Sequence, residues 1–143
     1  MKITTFAAVA SAFLAAPAFA DGHASGDAVA GESVFKKCKS CHMIVDVDGE
    51  AIQKGGKTGP NLYGILGRTA GTEDFKYSKG LAALGETGAA WDEASFVAWV
   101  ADPSKYLSEQ LGKKERSKMS FKLKDAEDAT NLWAYLVSVG PEG

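Results

Sequence analysis

The sequence predicts an all-α, loop-rich domain. Three stretches place apolar residues at helical spacing behind an aspartate, no stretch alternates as a convincing strand, and 16 glycines punctuate the segments between. Asp27 is suited to cap a first helix running to about Lys39, with Gly31, Val34, Phe35 and Cys38 at i, i+3, i+4 and i+7 on one face. Gly31 leaves room there for another helix to cross closely. Residues 43–57 read as a solvated loop, marked by Asp46, Asp48, Gly49, Gly55 and Gly56. Residues 58–68, with three glycines and a proline among apolar residues, fit neither helix nor strand and suggest backbone packed closely against a flat object. Residues 69–90 read as a long, poorly ordered segment anchored by Phe75, Tyr77, Leu81 and Leu84. Asp92, after Trp91, caps a helix that buries Phe96, Trp99 and Val100 and stops at Pro103. A short helix follows over Ser104 to Leu111, ended by Gly112. Asp125 caps the last one, which runs to about Val139 with Ala129, Leu132, Trp133 and Leu136 on one face before Gly140-Pro141. The total is four to five short helices, with no internal repeat.

The chain is organised around Cys38-Lys39-Ser40-Cys41-His42. Two cysteines three apart with a histidine directly after the second form the signature of covalent haem c attachment. A helical turn brings residues i and i+3 to one side, where each thiol can add to a haem vinyl group, and the histidine can ligate the iron. Three other readings compete. A zinc site needs about four ligands, but the second histidine, His23, sits in a Gly/Ser-containing stretch and no second paired motif exists. A thioredoxin-like dithiol calls for a βαβ setting that is absent from the pattern. A plain disulfide explains neither the histidine nor the spacing. Glycine-rich turns and abundant aromatics also suit short helices with a prosthetic group filling much of the interior.

Residues 1–20 read as a secretory leader: Lys2, an apolar stretch from Ile3 to Ala16, and Ala18-Phe19-Ala20 as a small-x-small cleavage site. The apolar run is broken by Thr4, Thr5, Ser11 and Pro17 and is short for the roughly 20 residues of a membrane span, so cleavage before Asp21 is expected over retention as an anchor. Residues 21–143 then form one domain in an oxidising compartment, the periplasm. The formal charge of −2 becomes −3 once Lys2 is removed. Over residues 113–124 six cations face Glu115 alone, a local +5 that leaves −8 on the rest. So acidic a whole argues against nucleic-acid binding. A basic patch on an acidic body instead steers docking onto an acidic partner.

The second axial ligand follows by elimination. Met1 leaves with the leader, Met43 adjoins His42, and His23 lies in the tail. Met119 remains, 77 residues beyond His42 and set among Ser117, Lys118 and Ser120, an odd place for a core-filling methionine. His/Met ligation raises the reduction potential.

Together these residues resemble a class I c-type cytochrome, most like the bacterial c2 branch related to mitochondrial cytochrome c. The resemblance covers nearly all of residues 21–143 through Cys38-x-x-Cys41-His42, Thr58-Gly59-Pro60-Asn61-Leu62, Gly67-Arg68, Trp91, Pro103, Lys118-Met119-x-Phe121 and Leu132…Tyr135-Leu136. It implies the cytochrome c fold, with short helices wrapped around one covalently attached haem. The first and last helices should cross there, with Gly31 and Phe35 meeting Leu132 and Tyr135. It implies that the Pro60 carbonyl accepts the second ring N–H of His42, and that Arg68, Tyr77 and Trp91 hold the haem propionates with Ser117 assisting. Two departures stand out. Trp99 replaces the tyrosine usual near the methionine sulfur, and an indole can only donate a hydrogen bond. The stretch from Pro103 to Met119 is also longer than in mitochondrial relatives, adding Lys113, Lys114 and Arg116.

The resulting expectation is a monomeric one-electron shuttle rather than an enzyme. It would take electrons from a cytochrome bc1-type complex and pass them to a photosynthetic reaction centre or cytochrome oxidase. Transfer would run through a haem edge near Cys41 and Phe121, and docking through Lys36, Lys39, Lys113, Lys114, Lys118 and Lys122. The competing reading is a haem enzyme or gas-binding sensor with an open coordination position.

Overall fold

The computed structural model describes residues 24–141 and residue 143; the leader, Met1 and His23 lie outside the described residues. Five helices are present among them: α1 Ala28–Phe35, α2 Lys79–Glu86, α3 Glu93–Ala101, α4 Pro103–Leu111 and α5 Ala126–Ser138. Each begins at a side-chain cap that satisfies otherwise unpaired first-turn N–H groups. The Asp27 carboxylate accepts from Val29 N (2.8 Å) and Ala30 N (3.1 Å), and Asp125 accepts from Asp128 N (2.9 Å). Asp92 and Ser95 cap each other's backbone reciprocally at the start of α3.

α1 and α5 form the most extensive helix–helix interface, with α3 packed on α5 and α4 on α2 and α3. Their crossing is as close as the resemblance implies. A Cβ at Gly31 would overlap the Asn131 carbonyl and crowd Tyr135 Cβ, and the Phe35 and Tyr135 rings sit 6.0 Å apart. The obstruction at Gly31 is backbone and cannot rotate away. Gly31→Ala should therefore cost about 2–3 kcal/mol, at the upper end of overpacking penalties, read as a lower urea midpoint. A loss under about 1 kcal/mol would show that the helices can separate cheaply at this point.

Four expectations need correcting. α1 ends at Phe35 rather than near Lys39, because the chain tightens into i+3 bonds, Lys37 N to Val34 O (2.9 Å) and Cys38 N to Phe35 O (2.8 Å). The loop expected at 43–57 contains a small antiparallel hairpin, β1 Ile44–Val45 and β2 Ala51–Gln53, with Ile44 opposite Gln53. Its turn is built by Asp46, whose carboxylate accepts from Asp48 N and Glu50 N. Asn61 completes the outer edge by bonding both Val45 N (3.0 Å) and Val45 O (2.7 Å), as another strand would. Residues 69–90 are not irregular throughout. They contain α2, and their ends are tied by a bridge between Thr69 and Ala90. Pro103 does not merely stop α3; it opens α4, and Asp102 both ends α3 and caps α4 through Lys105 N (3.1 Å).

The hairpin is pinned to α5 by Gln53 Nε2, which donates to the Tyr135 hydroxyl (2.8 Å). The segment before α1 is tied to α3, Ser25 donating from its backbone and hydroxyl to Glu93 (2.6 and 2.5 Å). The core between these layers is formed by Phe35, Ile44, Leu107, Leu132, Trp133 and Leu136, all essentially inaccessible. Beside it the chain leaves a space of its own.

Candidate functional site

That space is a cavity of about 270 Å³, open to solvent on one side. Cys38, Cys41, His42, Pro60, Arg68, Tyr77, Trp91, Trp99, Ser117 and Met119 all line it, so every site residue expected from the sequence converges here. They arrive from four separate parts of the chain.

The motif turns back on itself after α1. Cys41 N (3.1 Å) and His42 N (2.9 Å) both donate to Cys38 O, which sets the two sulfurs and the imidazole on one short turn. The environments of the two thiols differ. Burial pushes Cys38 up to about 11. Cys41 is exposed, and hydrogen bonds from Thr58 first and Ser40 second hold its thiol below the usual range. His42 Nδ1 donates to the Pro60 carbonyl at 2.8 Å, the contact the resemblance implies. That bond fixes the tautomer and leaves the Nε2 lone pair available to a metal. Burial pushes the imidazole below its ordinary value, and the Pro60 contact opposes the shift.

Residues 58–61 hold this ring. Gly59 N donates to Cys41 O (2.8 Å), and a Cβ at Gly59 would overlap the His42 imidazole. The flat object against which the glycine-rich segment packs is, at this point, the ring of His42. The individual roles of Thr58 and Gly59 are legible only once the fold sets them beside the motif.

Met119 reaches the cavity on a loop fastened at several points. Its N–H donates to the Ser117 hydroxyl (3.0 Å), and Ser117 N donates to Ser104 Oγ in the first turn of α4 (3.0 Å). Lys118 Nζ donates to the Lys76 carbonyl (2.6 Å), and beyond the methionine Leu123 N reaches Val100 O (2.7 Å). Lys122 pairs with Asp102 at 2.6 Å. These anchors place a half-buried thioether on the cavity wall.

Arg68 is largely enclosed and held on backbone carbonyls, Nη1 to Tyr63 O (3.2 Å) and Nη2 to Asn61 O (3.1 Å). Tyr77 lies on the same wall, its phenol pushed up by burial. Trp91 and Trp99 meet edge to face at 5.5 Å, and Tyr106, which the sequence did not single out, stacks on Trp91 at 6.2 Å. Trp99 is thus both a wall of the cavity and part of an aromatic cluster. The remaining wall is apolar, from Leu62, Ile65, Phe96, Val100 and Leu132.

These walls suit haem c. Two thiols, one imidazole with a free ring nitrogen and one thioether supply attachment and N/S ligation, the apolar wall suits the porphyrin face, and Arg68 suits its carboxylates. The zinc reading finds less support, since among the described residues no three His, Cys, Asp or Glu side chains converge to hold a metal.

Comparison with known proteins agrees with the geometry. The Cytochrome c family profile matches residues 28–140. The chain is 52% identical to cytochrome c2 of Rhodobacter capsulatus, covering 97% of this chain and 98% of that one. It is 50% identical to cytochrome c2 of Cereibacter sphaeroides over 96% and 95% of the two chains. The crystal structure of cytochrome c2 from Rhodobacter sphaeroides superposes with a TM-score of 0.79 at 52% identity, covering 81% of this chain and 98% of that one. Five helices, a cavity walled by one Cys-x-x-Cys-His turn and relatives of this similarity along the whole length leave one assignment: the chain belongs to the cytochrome c family of haem-bearing electron carriers.

Proposed function

We propose that this protein is a soluble periplasmic one-electron carrier of the cytochrome c2 kind, with a single haem c bound through Cys38 and Cys41 and ligated by His42 and Met119. It would shuttle electrons from a cytochrome bc1-type complex to a photosynthetic reaction centre or terminal oxidase. The observation that carries this reading is that the Cys38–His42 turn and Met119, far apart in sequence, line one cavity.

When bound, the haem iron would supply the one-electron couple. The chain's residues do the rest. His42, with its tautomer set by Pro60, offers a fixed imidazole. The fastened 117–123 loop offers the thioether without a large rearrangement, so both oxidation states would share one geometry. Apolar walls from Leu62, Ile65 and Leu132 keep water away. Arg68, Tyr77, Trp91 and Ser117 line the region assigned to the propionates. The rim is formed by Cys41, Thr58 and Phe121, all exposed, which leaves an edge through which electrons can pass. Among the described residues no helix is long and apolar enough to cross a membrane. Cleavage before Asp21 is part of the proposal and is checked by the mass of the purified protein.

Lys36, Lys113, Lys114, Lys118 and Lys122 are exposed and Lys39 is half-buried. Several are already engaged, Lys122 by Asp102 and Lys113 by Glu115 at 3.4 Å, so docking rests on the field of the whole patch more than on single contacts. Reduction by a bc1-type complex should slow about tenfold or more between low salt and about 0.3 M salt. Charge reversal at Lys114 and Arg116 should reproduce part of that loss at low salt. A rate indifferent to both would remove the docking assignment.

A further inference from the structure

The guanidinium of Arg68 faces a carboxylate that the reading above leaves without a task. Glu73 Oε1 lies 3.1 Å from Nη1 of Arg68, which is itself on the cavity wall. The Arg68 side chain is only 13% exposed and the Glu73 side chain 39%. Arg68 does not depend on Glu73 for its position, because the carbonyls of Asn61 and Tyr63 hold both terminal nitrogens. Glu73 therefore adds mainly charge. Its negative charge is also felt by the neighbouring Tyr77 on the same wall.

A fixed, poorly solvated cation on a cavity wall favours whichever state of the occupant carries less positive charge. For an iron couple that is the reduced state. A carboxylate paired with that cation offsets the bias and favours the oxidised state. We propose that Glu73 is a potential-setting residue: by pairing with Arg68 it lowers the reduction potential of the haem below the value that Arg68 alone would impose. The inference rests on the proposed haem occupancy of this cavity. The step it concerns is the gain of one electron by ferric haem from a reduced mediator dye, which is thereby oxidised, with no bond made or broken.

The test is equilibrium redox titration of the haem-loaded wild type, Glu73→Gln and Glu73→Asp against mediators of fixed potential, with optical spectra at each point. In Glu73→Gln the equilibrium constant for reduction should rise about threefold, the order expected for one unit charge acting across a partly solvated wall. Glu73→Asp, which keeps the charge, should stay closer to wild type than to Glu73→Gln. An unchanged constant in Glu73→Gln with an unaltered spectrum would overturn the inference. So would an altered ligand-to-iron spectrum, since Glu73 would then act on the fold and not through charge. Failure of the underlying haem reading is separable, because it would show in the wild type as absence of the haem spectrum itself.

Discussion

Replacing Cys38 and Cys41 together by alanine should leave a chain that does not fold cooperatively at 25 °C. The reason is the cavity. Without its occupant the cavity would fill with water against Leu62, Ile65, Phe96, Val100 and Leu132, a loss of several kcal/mol at roughly 1.5–3 kcal/mol per large apolar side chain no longer fully buried. Domains of this size are stable by only about 5–15 kcal/mol, so the deficit takes most or all of the margin. The helices cannot compensate. α1 and α2 have eight residues each and α3 and α4 nine, short of the roughly 12–15 at which an isolated helix becomes even marginal. Circular dichroism should show most of the helical signal lost and no sharp thermal transition. Single replacement of Cys38 or Cys41 should be milder, since one thioether would still tether the group. A double variant that melts sharply near the holoprotein would contradict the view that the occupant forms part of the core.

Met119→Ala is expected to have the largest effect on redox behaviour. The loop carrying it is fastened by Ser104, Lys76, Val100 and Asp102, so truncation should remove the thioether without unravelling its support. Axial ligation spans about 0.8 V among haem proteins, and loss of the thioether should lower the potential by on the order of 0.2 V. The weak charge-transfer absorption between sulfur and ferric iron, toward the red end of the spectrum, should vanish. The reduced protein should also bind carbon monoxide rapidly. Retention of that band with an unshifted potential would assign the ligand elsewhere.

What the sequence made legible follows from how local each signal is. Asp27, Asp92 and Asp125 announce their helices because a cap acts within three residues and needs no distant partner. α2 escaped because Lys79–Glu86 contains Gly80 and Gly85 and holds its shape through tertiary contacts of Leu81 and Leu84, not through propensity. The hairpin escaped because strands of two and three residues are too short to show alternation, and its edge is completed by Asn61, ten residues further on than Ala51. Pro103 reads as an end because proline breaks the helix before it; that it also begins one depends on Asp102 serving both.

The site divides in the same way. Cys38, Cys41 and His42 declare themselves by spacing, and Met119 by the poverty of rivals. Arg68 and Ser117 are assigned only through family resemblance, because nothing in a lone arginine or serine says what it faces, and Tyr77 reads on its own merely as a hydrophobic anchor. Glu73 carried no sequence signal; an acidic residue in a polar loop is ordinary until the fold sets it against Arg68.

The central claim is that one haem is covalently held and clamped between His42 and Met119. A redox titration of the purified holoprotein with optical spectra tests it most directly. The account predicts a single one-electron wave, with a tenfold change in ratio per about 59 mV, a sulfur-to-iron band present only in the oxidised form, and no rapid carbon monoxide binding when reduced. A colourless protein with two titratable thiols, or a coloured one that binds carbon monoxide at once, would contradict it.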